Sequence, residues 1–255
     1  MSRRGQTVLI GAVVVLALAI GLMYMPVPYV ALGPGETVNV LGTDGKHDII
    51  TVNGVPVSRS KGQLRLTTVS VYGGFDVATA LRLWKDSDTA VVPREYVYPP
   101  GESRGATEKK DKASFVASQD AAQTAALRAL GYDGQHKPPF KVEFDLAGIG
   151  GPSAGLMFAL GVVAKIQPED LTGGRVIAGT GTIDDKGAVG PIGGIAQKLI
   201  GARKASATVF LTPADNCAAA VQTAPKGLRL VKIGTLSDAL ASLRALRDSG
   251  KVPSC

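Results

Sequence analysis

KVEFDLAGIGGPSAGLMFALGVVA, residues 141–164, decides the fold. Lys141 to Leu146 alternates apolar and polar side chains as a half-buried strand does, whereas Ser153 to Ala164 is apolar on every side of a helix through Leu156, Met157, Phe158, Leu160, Val162 and Val163. A helix that is apolar all round belongs in a core. The small-residue turn Gly150-Gly151-Pro152-Ser153-Ala154-Gly155 therefore delivers Ser153 to the N-terminus of a buried helix, in the interior or at the floor of a cleft. Unpaired backbone N–H groups gather at such a terminus, where they can stabilise a developing oxyanion, and small neighbours let a substrate carbonyl approach. On this turn alone, a serine that merely caps the helix is the better account, since Ser is among the commonest capping residues.

Downstream, strands and helices alternate: Arg175 to Ala178 is a strand, Gly194 to Ala205 a helix, Thr208 to Leu211 a strand, and Leu236 to Arg247 a closing helix capped by Thr235. Upstream, short β-type stretches are divided by turn residues: Tyr29 to Leu32, Glu36 to Val40, His47 to Val52 across a Thr43-Asp44-Gly45 turn, and Leu64 to Val71. They predict an antiparallel opening layer. Phe75 to Lys85 reads as an amphipathic helix, Thr107 to Lys112 as a charged loop, and Ser118 to Leu130 as an alanine-rich helix closed by Gly131. No segment repeats. The pattern predicts an α+β body of mixed sheets and packed helices, with one core shared by both halves.

The N-terminus is different in kind. From Gly5 to Gly35 there is no Asp, Glu, Lys, Arg or His, and Val8 to Met25 is unbroken apolar or small sequence. A helix needs about 20 such residues to cross a bilayer core. Arg3 and Arg4 precede the run and nothing basic follows until Lys46, so the positive-inside rule keeps the short tail in the cytoplasm and sends the rest outside. A cleaved secretory signal would end in small residues, and Leu22-Met23-Tyr24-Met25-Pro26 does not. The chain is expected to divide into a cytoplasmic tail at 1–6, a membrane anchor at 7–26 and an extracytoplasmic domain at 27–255. Its two cysteines, Cys217 and Cys255, are an even pair for an oxidising compartment and are expected to form a disulfide.

Several classes of function are excluded by what the chain lacks. The net charge of +7 is scattered and aromatic residues make up only 5%, so no basic stripe invites nucleic acid. Two Cys and two His at these spacings match no metal-ligand pattern. Arg175 to Gly181 runs an apolar strand into Gly179-Thr180-Gly181, but Thr182-Ile-Asp-Asp-Lys-Gly follows as strand and turn in place of the helix a dinucleotide site needs. A G-x-x-x-x-G-K-[ST] loop for ATP is missing too, and no cofactor is called for.

What turns Ser153 from a cap into a candidate nucleophile is a lysine. In Gly193-Gly194-Ile195-Ala196-Gln197-Lys198-Leu199-Ile200-Gly201-Ala202, Ile195, Lys198, Leu199 and Ala202 fall at i, i+3, i+4 and i+7. Lys198 thus shares the apolar stripe, while Gln197, Gly201 and Lys204 lie on the other face. Such a lysine either snorkels to water or stays desolvated with a lowered pKa, the state a general base requires. His47 beside a polar turn and His136 in a Gly-Gln-His-Lys-Pro-Pro loop are expected in solvent, away from Ser153.

With these residues in view, the chain resembles the Lon-like proteases, in particular the membrane-anchored extracytoplasmic branch without an ATPase. The matching stretches are Gly-Gly-Pro-Ser-Ala-Gly around Ser153, Thr-Gly-Thr-Ile-Asp around Thr180, and Gly-Pro-Ile-Gly-Gly-Ile-Ala-Gln-Lys ending at Lys198. Tyr29-Val-Ala-Leu-Gly-Pro-Gly, Thr67-Thr-Val-Ser-Val and Ser118-Gln-Asp-Ala-Ala extend the likeness over most of the chain. The resemblance implies a Lon-protease-like fold and an ATP-independent serine endopeptidase acting on proteins or peptides. It also implies a Ser153/Lys198 dyad, Thr180 orienting the lysine, Gly151, Pro152 and Ala154 shaping the nucleophile turn and oxyanion region, and a ring of six subunits. Members of this branch usually carry a PDZ module before the strand that leads to the nucleophile. Here only Tyr132 to Pro139 occupies that place. A silent, membrane-anchored scaffold of the cell envelope is the competing reading, and joint retention of Ser153, Lys198 and Thr180 argues against it.

Overall fold

The computed structural model describes residues 3–45, 47–132 and 138–255. In chain order the elements are α1 (Arg3–Met23), β1 (Tyr29–Asn39), β2 (Thr43–Asp44), β3 (His47–Asp48), β4 (Ile50–Asn53), β5 (Gln63–Gly73), α2 (Val77–Trp84), β6 (Ala90–Pro93), α3 (Arg104–Ala129), β7 (Lys141–Phe144), α4 (Gly155–Ile166), β8 (Val176–Gly179), β9 (Thr182–Ile183), β10 (Val189–Gly190), α5 (Ile195–Lys204), β11 (Val209–Pro213), α6 (Cys217–Thr223), β12 (Arg229–Ile233) and α7 (Leu236–Arg247). The class is α+β with a mixed sheet. The chain forms two compact units, one comprising the residues up to Gly33 together with Ser70–Glu102, the other Pro34–Val69 together with Ser103–Cys255.

In the first unit, α1 is long and apolar enough to be a candidate membrane span, and none of its residues is buried. The start of β1 pairs antiparallel with β6, Tyr29 opposite Pro93 and Leu32 opposite Ala90. α2 is capped by Asp76, whose carboxylate accepts the Thr79 N–H at 2.8 Å.

The second unit is built on parallel strands in the order β12-β11-β8-β5. Beside β5, the second half of β1 runs antiparallel, since Thr68 donates to the Glu36 carbonyl and the Val40 N–H donates to Leu64. The opening layer is therefore not wholly antiparallel, because β5 pairs in parallel with β8. Its short partners do follow expectation: β2 and β3 make a hairpin, and β4 pairs antiparallel with β7.

The period of two along the central strands sends their side chains into two cores. Ile177, Val209, Leu211 and Val231 join the larger one with α4, α3 and α7, while Ala178 and Phe210 join the smaller with Leu199 and Ala202 of α5 and Ala220 of α6. Helices on both faces are what buried parallel strands require. Phe158 of α4 lies at the centre of the larger core, edge-on to Phe115 of α3 at 5.6 Å and to Phe144 of β7 at 5.0 Å between ring centres. The stretch expected as a charged loop, Thr107 to Lys112, is helical: α3 begins at Arg104, its first turn capped by Ser103 through the Ala106 N–H. Charge was misread there as a loop signal. On a helix whose buried face consists of Thr107, Phe115, Ser118, Ala122, Ala125 and Ala126, the charged residues after Thr107 form the solvated face. Most of the Tyr132–Pro139 connection lies outside the described residues.

Candidate active site

Ser153 sits in a single 3-10 turn, Pro152–Ala154, immediately before α4. Gly151 makes that turn possible, with φ at 81°, a region that favours glycine. Its N–H is held by the carbonyl of Asp111 at 2.9 Å, so α3 fixes the entry to the turn. Gly155 allows the close approach behind it: a Cβ there would stand 2.8 Å from Ile183 Cγ2. The capping alternative is corrected by the structure, since Ala154 occupies the cap of α4 and no side chain caps that helix.

Three polar side chains converge beyond the carboxyl end of β8. Lys198 Nζ lies 2.7 Å from Ser153 Oγ and 2.9 Å from Thr180 Oγ1. The Thr180 hydroxyl in turn donates to the Ser153 carbonyl at 3.1 Å, and the Gly181 N–H donates to the same oxygen at 2.9 Å. α4 and α5 pack on opposite faces of the sheet, so serine and lysine meet around the end of β8, with Thr180 bridging them. The geometry thus brings together Ser153, Lys198 and Thr180, which the sequence separates by 27 and 18 residues.

Lys198 is only 3% exposed and does not snorkel. Burial holds its pKa down at about 7, because the ammonium loses hydration without gaining a carboxylate. Gln197 is also buried, contrary to its expected place on the outer face, because α5 is covered on more sides than its apolar stripe suggests. A residue the sequence reading missed is Asp111, whose carboxyl pKa is raised by burial and secondarily by Glu108. Its signal was present: Ser103 is a capping residue ahead of a long run of helix formers.

The other predicted residues fall elsewhere. His47 is largely exposed, its Nδ1 3.6 Å from Asp145 Oδ2, and His136 lies outside the described residues. Cys217 and Cys255 are joined in a disulfide that ties the C-terminus to the start of α6. Among the described residues no group of three His, Cys, Asp or Glu side chains is placed to hold a metal ion.

Residues 147–242, which contain all three converging side chains, match the family described as Lon protease (S16) C-terminal proteolytic domain. This stretch is similar to the proteolytic domain of Lon. Lon protease 2 of Herpetosiphon aurantiacus is 32% identical over 150 residues, 55% of this chain and 18% of the relative. Lon protease 1 of Sorangium cellulosum is 38% identical over 101 residues, 38% of this chain and 12% of the relative. Lon protease 1 of Bacillus subtilis is 38% identical over 66 residues. The chain spans less than a fifth of the length of these curated relatives.

Proposed function

We propose that this chain is an ATP-independent serine endopeptidase, with Ser153 as nucleophile and Lys198 as its base, held by α1 at the outer face of a bacterial membrane. The observation that carries the proposal is a desolvated lysine 2.7 Å from a serine hydroxyl, with hydroxyl groups as its hydrogen-bond partners. Neutral Lys198 takes the proton from Ser153 Oγ as that oxygen attacks the scissile carbonyl carbon. Gly151 spends its N–H on Asp111 and Pro152 has none, so the donors for the resulting oxyanion are the N–H groups of Ser153 and Ala154 in the first turn. The ammonium of Lys198 then returns the proton to the leaving amine, giving an acyl-enzyme and the first product. A water that loses its proton to Lys198 attacks the ester carbon. As the C–O bond to Ser153 breaks, Lys198 passes that proton to Ser153 Oγ, restoring the free serine and the neutral lysine and releasing the second product as its acid, which ionises in water. Thr180 positions the lysine. Protein or peptide substrates follow from the family, and a homo-oligomer, a ring of six by resemblance, is part of the same reading.

The outer location is supported by Arg3 and Arg4 ahead of an uncharged helix and by a disulfide, which persists in oxidising compartments. The test is to treat the purified chain with a fluorophosphonate or boronate probe and map the adduct. Modification at Ser153 that disappears in Lys198→Ala is expected. An inert Ser153 in protein that is folded, and that cleaves no peptide across a range of pH, would refute the proposal.

A further inference from the structure

The first unit carries an apolar face that its own folding leaves bare. Val77, Ala80, Leu81 and Trp84 fall at i, i+3, i+4 and i+7 on α2, the spacing that ordinarily turns a helix toward a core. Yet none of the eight residues of α2 is buried. With Val27 and Tyr29 the four line an open groove of about 360 Å³. Leu81 is 42% exposed and Trp84 73%. Trp84 is the single tryptophan of the chain.

The start of α2 is tied to the end of the candidate span. The Val77 N–H donates to the Met25 carbonyl at 3.1 Å and the Val27 N–H to the Phe75 carbonyl at 3.2 Å, with Pro26 and Asp76 bridged between them. α1 ends at Met23, so two backbone hydrogen bonds fasten α2 within a few residues of the point where the span ends. The aromatic side chains Tyr24 and Tyr29 are exposed beside the same join. Tyr and Trp concentrate at the boundary of headgroups and acyl chains, where the ring is partly desolvated and its polar edge stays wet. An amphipathic helix lies in that boundary with its apolar face about 5–10 Å deep. α2 is fastened at the right level, and its exposed face has the right chemistry.

We infer that α2 is an interfacial helix, its Val77-Ala80-Leu81-Trp84 face immersed in the lipid of the leaflet from which α1 emerges. The occupant of the groove is lipid. This contact fixes the first unit against the bilayer surface, a second attachment beyond the span. The inference rests on the reading of α1 as an anchor.

The sole tryptophan makes the test direct. The full-length chain is reconstituted into vesicles of phosphatidylcholine and phosphatidylglycerol, with and without acyl chains brominated near the headgroup. Trp84 emission is read together with acrylamide access, and alkaline carbonate extraction reports the anchor separately. The expected result is a blue-shifted emission, poorly reached by acrylamide and largely lost in brominated vesicles, from protein that stays with the membrane. Leu81→Glu should restore acrylamide access while leaving membrane retention and probe labelling of Ser153 intact. Retained protein with Trp84 open to acrylamide and indifferent to bromine overturns the inference but leaves the anchor. Emission shielded from both quenchers means that protein, such as a second copy of this chain, covers the face, and overturns it equally. Release by carbonate removes the anchor and this inference together.

Discussion

Two buried lysines lie at opposite ends of α4, and they were treated oppositely by the fold. Lys165, near the C-terminal end, is 5% exposed, and its Nζ donates to Asp48 Oδ2 at 2.9 Å. Lys198 meets the N-terminal end and is 3% exposed, but its partners are the hydroxyls of Ser153 and Thr180. Burial is nearly the same, and the counter-charge is what differs. A helix C-terminus and a carboxylate both favour an ammonium ion, whereas two hydroxyls solvate it poorly. Lys165 is thus an ion-paired structural tie, whereas burial without a carboxylate partner favours the neutral form of Lys198.

The largest effect that would break this contrast is kinetic. Lys198→Ala and Ser153→Ala are each expected to lower peptide cleavage by on the order of 10⁴-fold or more, since members of a catalytic unit fail together. Lys165→Met should leave cleavage within a few-fold of the parent. Cleavage that survives Lys198→Ala, or dies in Lys165→Met without unfolding, would show that the two lysines had been assigned the wrong way round.

The next effect is on stability as a function of pH. A fall in the Lys198 pKa from 10.5 to about 7 corresponds to roughly 4–5 kcal/mol against the charged form inside the fold. Between these two values the unfolded chain holds a proton that the folded chain has released, so stability rises with pH across the window and the penalty accumulates as pH falls toward 7. Lys198→Met should flatten that rise, measured by denaturant unfolding at several pH values. Activity should follow the same group, climbing with pH through about 7 and levelling above it. A profile unchanged in slope by Lys198→Met would place the titrating group elsewhere.

A smaller asymmetry is expected at the other lysine. Asp48→Ala strands the buried Lys165 ammonium, whereas Lys165→Met leaves only a carboxylate that already reaches solvent, with 51% of its side chain exposed. Because Asp48 is half in water, the cost of Asp48→Ala should be about 2 kcal/mol, below the range for a fully buried pair, and Lys165→Met should cost under about 1 kcal/mol. Equal costs from chemical denaturation would mean that Lys165 reaches water after all.

How far the sequence foretold this arrangement depends on the kind of signal. The α4 helix, the Ser153 turn and the placing of Lys198 on a covered stripe were legible because apolar periodicity reports burial directly. α3 was half-read: Glu108, Lys109, Lys110 and Asp111 look like loop until the cap at Ser103 is weighed. That error hid Asp111, whose carbonyl secures the Gly151 N–H. The parallel pairing of β5 with β8 was not legible, since 110 residues or more separate the partners and the strand pattern carries no direction. Convergence of Thr180 on Lys198 was carried by the family resemblance alone, because a threonine after a strand has no distinctive pattern of its own.

Thr180 gives the smallest and most discriminating prediction. Its side chain is fully buried, and one hydroxyl serves both neighbours, accepting from Lys198 Nζ and donating to the Ser153 carbonyl. A neutral amine has two N–H bonds and one lone pair, so a fixed acceptor for one N–H helps aim the lone pair at Ser153 Oγ. Thr180→Val keeps the volume and removes the acceptor. The nucleophile turn should hold, because the Gly181 N–H still reaches the Ser153 carbonyl at 2.9 Å. Hydrogen bonds to an ammonium are stronger than those to an amine, so losing this one penalises the charged form more and moves the activity midpoint below about 7. The plateau rate should nonetheless fall about tenfold, the worth of one hydrogen bond that orients a reacting group. A Thr180→Val enzyme with a lower plateau and an unmoved midpoint would make Thr180 a packing residue, and one unchanged in both would remove it from the site.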